Sequence, residues 1–152
     1  MLQVTVLAVT SRAADTDRLH RVFASSNWQL HAVSSIADAI QHVAEFQTPI
    51  VLCAESVEGE SWDVVFKWFR ATNPDVQVVV ISRSLDGAGW GEALTGGAFD
   101  VLPVPLEASE VLRVVASAWR HWKDSSTRRA GAGQLAANAQ SQVTGHSNDP
   151  SF

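Results

Sequence analysis

Three short apolar runs constrain this chain more than anything else in it: Val4 to Val9, Ile50 to Ala54 and Val76 to Ile81. Each is rich in β-branched residues, is bounded by polar, Gly or Pro positions, and lacks the polar alternation of a half-exposed strand. That is the pattern of strands covered on both faces. Gln29 to Val33 and Phe99 to Leu102 are weaker strand candidates. Segments of helical period separate them. Leu19, Val22 and Phe23 mark a first helix, and Ile36, Ala39, Ile40 and Val43 a second behind a Ser35 cap. Trp62, Val65, Phe66 and Phe69 form the stripe of a third, which begins after Ser61 and stops at Asn73-Pro74. A short fourth lies near Trp90 to Leu94 and ends at Gly96-Gly97; a fifth carries Leu112, Val115, Ala116 and Trp119.

Strict βα alternation implies an α/β fold with a parallel sheet, because parallel neighbours need a crossover and right-handed crossovers keep helices packed on the sheet. Five strands and five helices give a doubly wound, three-layer, flavodoxin-like arrangement of order 2-1-3-4-5. Its ligand crevice lies beyond the carboxyl ends of strands one and three. The stretch PIVLCAESVEGESW, Pro49 to Trp62, therefore ends at the functional edge.

A chain of 152 residues suits one compact domain. Residues 1–123 are read as that domain and 124–152 as a disordered tail, since Ser, Ala, Gly, Gln and Asn dominate there and few large apolar side chains remain to bury. A formal net charge of −5 argues against a nucleic-acid footprint, which needs clustered cations in excess. The start MLQVTVLAVTSR has no basic leader and is too short to span a bilayer, so a cytoplasmic protein without membrane attachment is expected. The single cysteine, Cys53, excludes an internal disulfide and sits in an apolar run as a packing residue.

The alternation, together with GGAFDVLPVPLEASEVL from Gly96 to Leu112, resembles the receiver domain of bacterial response regulators over about residues 3 to 122. The resemblance implies an acidic pair after strand one and an aspartate at the end of strand three that hold Mg²⁺. It implies that this aspartate accepts a phosphoryl group, that a hydroxyl after strand four contacts it, and that a lysine before the last proline neutralises it. Matched position by position, the acids fall on Thr10 and Ser11, and the acceptor on Ala54 or, one residue later, Glu55. The hydroxyl survives as Ser82, Val104 stands where the lysine belongs, and Val101 takes the aromatic switch position.

Those departures remove the chemistry. Mg²⁺ wants carboxylate oxygens in near-octahedral array, and two neutral hydroxyls do not repay its dehydration. No metal and no other cofactor is expected. Without metal or ammonium, a transferring phosphoryl group lacks the fixed charges that supply most of this catalysis. Ala54 has no acceptor atom, so phosphorylation on Asp is not expected, and no catalytic residue is assigned. Arg12 and Arg83 follow strands one and four and are candidate anion contacts, with Glu55, Glu58 or Asp86 as their expected carboxylate partners. Such pairs replace the lost metal and lysine as structural ties; the alternative is that Glu55, held by either arginine, mimics a phosphorylated carboxylate.

The resulting expectation is a signalling module of a phosphorelay, or two-component, system that acts by protein contact, without enzymatic activity, on a protein partner or as a homodimer. Trp68, Trp119 and Trp122 are candidate interface residues, Trp being enriched at interface hot spots. The alternative is a small-anion or nucleotide-binding module using Arg12, Ser82, Arg83 and the segment Gly87 to Gly89, which is otherwise read as a loop. The five histidines lack metal-type spacing and are read as surface or packing residues.

Overall fold

The structure is a computed structural model that describes residues 4–84 and 86–147. The expectations for residues 1–3, 85 and 148–152 lie outside the described residues. Two compact units divide the chain, residues 1–122 and 123–152.

In the first unit, strands β1 (Thr5–Val9), β2 (Gln29–Val33), β3 (Ile50–Ala54), β6 (Gln77–Ser82) and β7 (Asp100–Pro103) form one parallel sheet of order β2-β1-β3-β6-β7. Setting aside a two-residue hairpin, β4 (Ser56–Val57) with β5 (Glu60–Ser61), this is the 2-1-3-4-5 order. The winding reverses between β1 and β3. Helix α1 (Ala13–Ala24) and the part of α5 (Ala108–Ser147) that belongs to the first unit cover one face, while α2 (Ile36–Phe46), α3 (Trp62–Thr72) and α4 (Gly87–Thr95) cover the other.

Alternation along the central strands explains this division. Ile50 and Leu52 of β3 join Leu19, Phe23, Val111 and Val115, whereas Val51 and Cys53 join Val43, Val65 and Phe69. All five β3 residues are buried, as a two-faced central strand requires. Helix α2 starts as read, with Ser35 Oγ accepting from Asp38 N at 3.1 Å. Helix α3 ends where Asn73 turns extended before Pro74.

Three local expectations change, and one element is new. The buried stripe of α5 is Val111, Val114, Val115 and Ala118, with Leu112 and Trp119 only partly covered. The i, i+3, i+4, i+7 set of three valines and Ala118 centres the apolar arc one position earlier than the Leu112–Trp119 set does. Gly87, Ala88 and Gly89 are not a loop but the first turn of α4, capped by Asp86, whose Oδ1 accepts from Gly89 N at 2.9 Å. The segment 56–61 is a hairpin turning on Glu58 (φ 52°) and Gly59 (φ 82°), the positive-φ pair that suits a two-residue turn. In the second unit, where a disordered tail is expected, the chain is helical to Ser147. Ala, Gln and Arg are strong helix formers, so local propensity there points to helix although the apolar residues for a core are scarce.

Candidate functional site

The carboxyl ends of β1, β3 and β6 open onto a crevice of about 330 Å³ lined by Ser11, Arg12, Asp15, Ala54, Glu55 and Ser84, among others. The position of Glu55 there follows from the ladder. Ala54 is the last β3 residue and pairs with Ile81; its methyl group is buried with Val9 and Cys53. Pairing continues one step, from Glu55 N to Ile81 O at 3.2 Å, and the next side chain then emerges at the sheet edge. Between Ala54 and Glu55, only the latter places a carboxylate in the crevice.

That carboxylate is heavily hydrogen-bonded. Arg83 N donates to Glu55 Oε1 at 2.7 Å, Ser84 N to the same oxygen at 3.3 Å, and Ser84 Oγ to Oε2 at 2.8 Å. The buried Ser82 hydroxyl contributes as well. Burial pushes the Glu55 pKa up, but the bonds from the Ser82 and Ser84 side chains and the Arg83 and Ser84 amides outweigh it, leaving a net value below the ordinary glutamate one.

The Arg83 side chain turns the other way. Its guanidinium grips Asp15 in a two-pronged pair, Nη1 to Oδ2 at 2.8 Å and Nη2 to Oδ1 at 2.6 Å. Asp15 is 6% exposed, and the hydrogen bond to it, ahead of the Coulomb attraction, holds Arg83 above its ordinary pKa. For Arg83 the expected pairing with the side chain of Glu55, Glu58 or Asp86 is therefore replaced. Glu58 instead accepts from Ile36 N at the start of α2, and Asp86 caps α4. Both carboxylates serve helix N-termini, where unpaired amides and the helix dipole favour a negative group. Arg12 lines the crevice and precedes α1 without capping it through its side chain.

Thr10 is buried and pairs its hydroxyl with that of Thr16; Ser11 is exposed at the rim. Val104 follows β7, its amide donating to Ser82 O at 3.0 Å, and Val101 is buried. Among the described residues no group of three or more His, Cys, Asp or Glu side chains is placed to hold a metal ion. Asp15 and Ser84 escaped the sequence reading. An acid in the first turn of a helix reads as a dipole partner, and Asp15 stands three residues after Arg12 with nothing to mark its reach across to Arg83, 68 positions away.

The tryptophans separate. Trp119 and Trp122 stack on each other at 5.2 Å with an 11° interplanar angle, and Trp28 meets Trp119 edge-on at 6.4 Å. Trp28 and Trp119 are partly buried against the core of the first unit. Trp68 is 41% exposed on the outer face of α3.

No model of a known protein family matches the chain, and no curated protein sequence matches it. Solved structures do. A signal receiver domain from Vibrio parahaemolyticus superposes with a TM-score of 0.75 at 17% identity, covering 83% of this chain and 97% of that one. The signal receiver domain of an HD domain-containing protein from Pseudomonas fluorescens Pf-5 gives 0.72 at 18% identity, covering 81% and 99%. A CheY-like response regulator receiver domain protein from Methanospirillum hungatei JF-1 gives 0.72 at 9% identity, covering 82% and 99%. The fold is that of response-regulator receiver domains.

Proposed function

We propose that this chain is a receiver-like signalling module of a two-component phosphorelay that is not phosphorylated on Asp and acts by protein contact, with a protein partner or a second copy. The carrying observation is the occupied cradle. The donors at the end of β6 that would meet an incoming phosphoryl group are already satisfied by Glu55, and Ala54 beside it has no acceptor atom. Glu55 stands in for the modified carboxylate and holds Arg83 and Ser84 in one arrangement.

The donor set suits Mg²⁺ poorly. Asp15 gives both oxygens to Arg83, Glu55 accepts hydrogen bonds on both of its own, and Thr10 is spent on Thr16. No step is routed through a metal. An anion or nucleotide at the Gly87 to Gly89 amides would compete with the Asp86 carboxylate already seated there, which disfavours the rival reading. The net charge of −5 supports a partner other than nucleic acid. Among the described residues no helix is long and apolar enough to cross a membrane.

The test is intact mass after incubation with acetyl phosphate and MgCl₂, for the wild type and Glu55→Gln. No +80 Da adduct on either is expected; a stoichiometric, acid-stable but base-labile adduct on the wild type would overturn the reading.

A further inference from the structure

A second cavity lies at the opposite end of the sheet from the crevice. About 550 Å³ in volume, it opens where Thr5 and Gln29 begin β1 and β2 and Pro49 leads into β3. That volume falls within the range of small-molecule sites. One wall is a ladder of rings: His31 stacks on His42 at 4.6 Å and 19°, and His42 meets Phe46 at 4.7 Å and 42°. The ladder ends in Phe46, which is 62% exposed, the most exposed large apolar side chain described. An exposed phenyl on the wall of a concave site leaves a ring face without a neighbour.

The polar groups are few and define a polarity. Thr48 Oγ1 contacts two atoms, the His42 carbonyl at 3.2 Å and His42 Nδ1 at 2.7 Å. A carbonyl only accepts, so the single hydroxyl proton goes to it and the hydroxyl accepts from Nδ1–H. His42 is thereby fixed as the Nδ1–H tautomer. Burial, and then the neighbouring His31, lower its pKa against the opposing pull of Glu45, so the ring is neutral at pH 7 and Nε2 carries a bare lone pair. Nε2 has no acceptor or donor contact among the described residues and is not sealed from solvent. No Lys, Arg, Asp or Glu lines this cavity. A phosphate or carboxylate ligand would find no counter-charge, and Asp38 and Glu45 in the adjoining pocket that shares His31, His42 and Phe46 would repel it.

We infer that this cavity is a binding site for an uncharged planar aromatic or heteroaromatic small molecule that packs against the exposed Phe46 ring, alongside the His31–His42 stack, and donates an N–H or O–H to His42 Nε2. The site is separate from the Glu55 crevice and does not depend on the signalling reading. Effector binding there would act at the edge strand β2 and the end of α2.

The experiment titrates the full chain with indole, 1-methylindole and cyclohexanol at pH 7.5, read by ¹H–¹⁵N chemical shifts. Indole is expected to shift the amides of Gln29 to His31 and of Phe46 to Thr48. 1-Methylindole, which keeps the ring and loses the donor, should bind at least tenfold more weakly, and cyclohexanol should not saturate. Phe46→Ala, a surface change whose fold the same spectra verify, should abolish the indole shifts. Absence of shifts at millimolar indole, shifts confined to the crevice residues, equal binding of indole and 1-methylindole, or full binding by Phe46→Ala would each overturn the inference.

Discussion

Glu55→Gln isolates the charge of the crevice carboxylate while keeping its shape. Four donors converge on Glu55: two backbone amides and two hydroxyls. A carboxamide offers one oxygen in place of two, and its NH₂ must face a donor. The Ser84 hydroxyl can rotate away, but the Arg83 and Ser84 amides are fixed by the backbone. Hydrogen bonds to a charged group contribute about 1.5–3 kcal/mol each when buried, and net values near an exposed rim are well below that. Glu55 is partly exposed, so the expected loss is about 1–2 kcal/mol in total, or on the order of 3–6 °C in Tm for a domain this size.

The pH dependence carries the sharper test. Because the folded-state pKa of Glu55 is depressed, its contribution is fully present above the unfolded glutamate value of about 4.3 and is lost as pH falls through the lower folded value. Urea melts of wild type and Glu55→Gln should differ most at pH 7 and converge below pH 4, with m-values unchanged. Equal stability at pH 7, or a gap that persists undiminished at pH 3, would refute the assignment of the cradle to an ionised Glu55.

Three further outcomes follow from the geometry. Gly97→Ala should destabilise by about 2–4 kcal/mol in denaturant melts, because Gly97 has φ 113° and an added Cβ would lie 2.7 Å from Phe66 Cε2. Trp122→Phe should leave stability within about 0.5 kcal/mol of wild type, since removing the buried, unpartnered Nε1–H offsets lost contact area, whereas Trp119→Ala, which removes the middle ring of the Trp28–Trp119–Trp122 cluster, should cost about 2–3 kcal/mol. Cys53, fully buried and with its thiol pushed up to about 12 by that burial, should react with an aromatic disulfide reagent at pH 8 only at the rate of unfolding; rapid native-state labelling would contradict the packing.

The sheet was legible because its central strands are covered on both faces, and that condition leaves a compositional mark: Ile50 to Ala54 contains no polar residue at all. Helix starts with a side-chain cap, such as Ser35, were legible for a similar local reason. What failed were contacts set by the third dimension. Arg83 could be placed beside the crevice by strand order, but not its choice between Glu55, Glu58 and Asp86, because the carboxylate that wins, Asp15, sits behind the rim on α1. The Gly87 to Gly89 segment misled through composition, since two glycines read as loop when one capping carboxylate suffices to begin a helix.

Arg83 ties these elements into one unit. Its amide holds Glu55 at the end of β3 and its guanidinium holds Asp15 in the first turn of α1, so a single residue after β6 joins three segments at the carboxyl edge. Counting formal charges among the crevice residues, Arg12 and Arg83 balance Asp15 and Glu55. A site that binds a phosphoryl dianion needs surplus positive charge aimed at it, and here the surplus is zero, with the best-directed cation already committed to Asp15. On this argument Glu55→Asp does not recreate a phosphoryl acceptor. It shortens the reach to Arg83 N and Ser84 and should loosen the loop without gaining an acetyl-phosphate adduct, whereas gain of an adduct by that variant would mean that side-chain length, rather than missing charge, keeps the crevice silent.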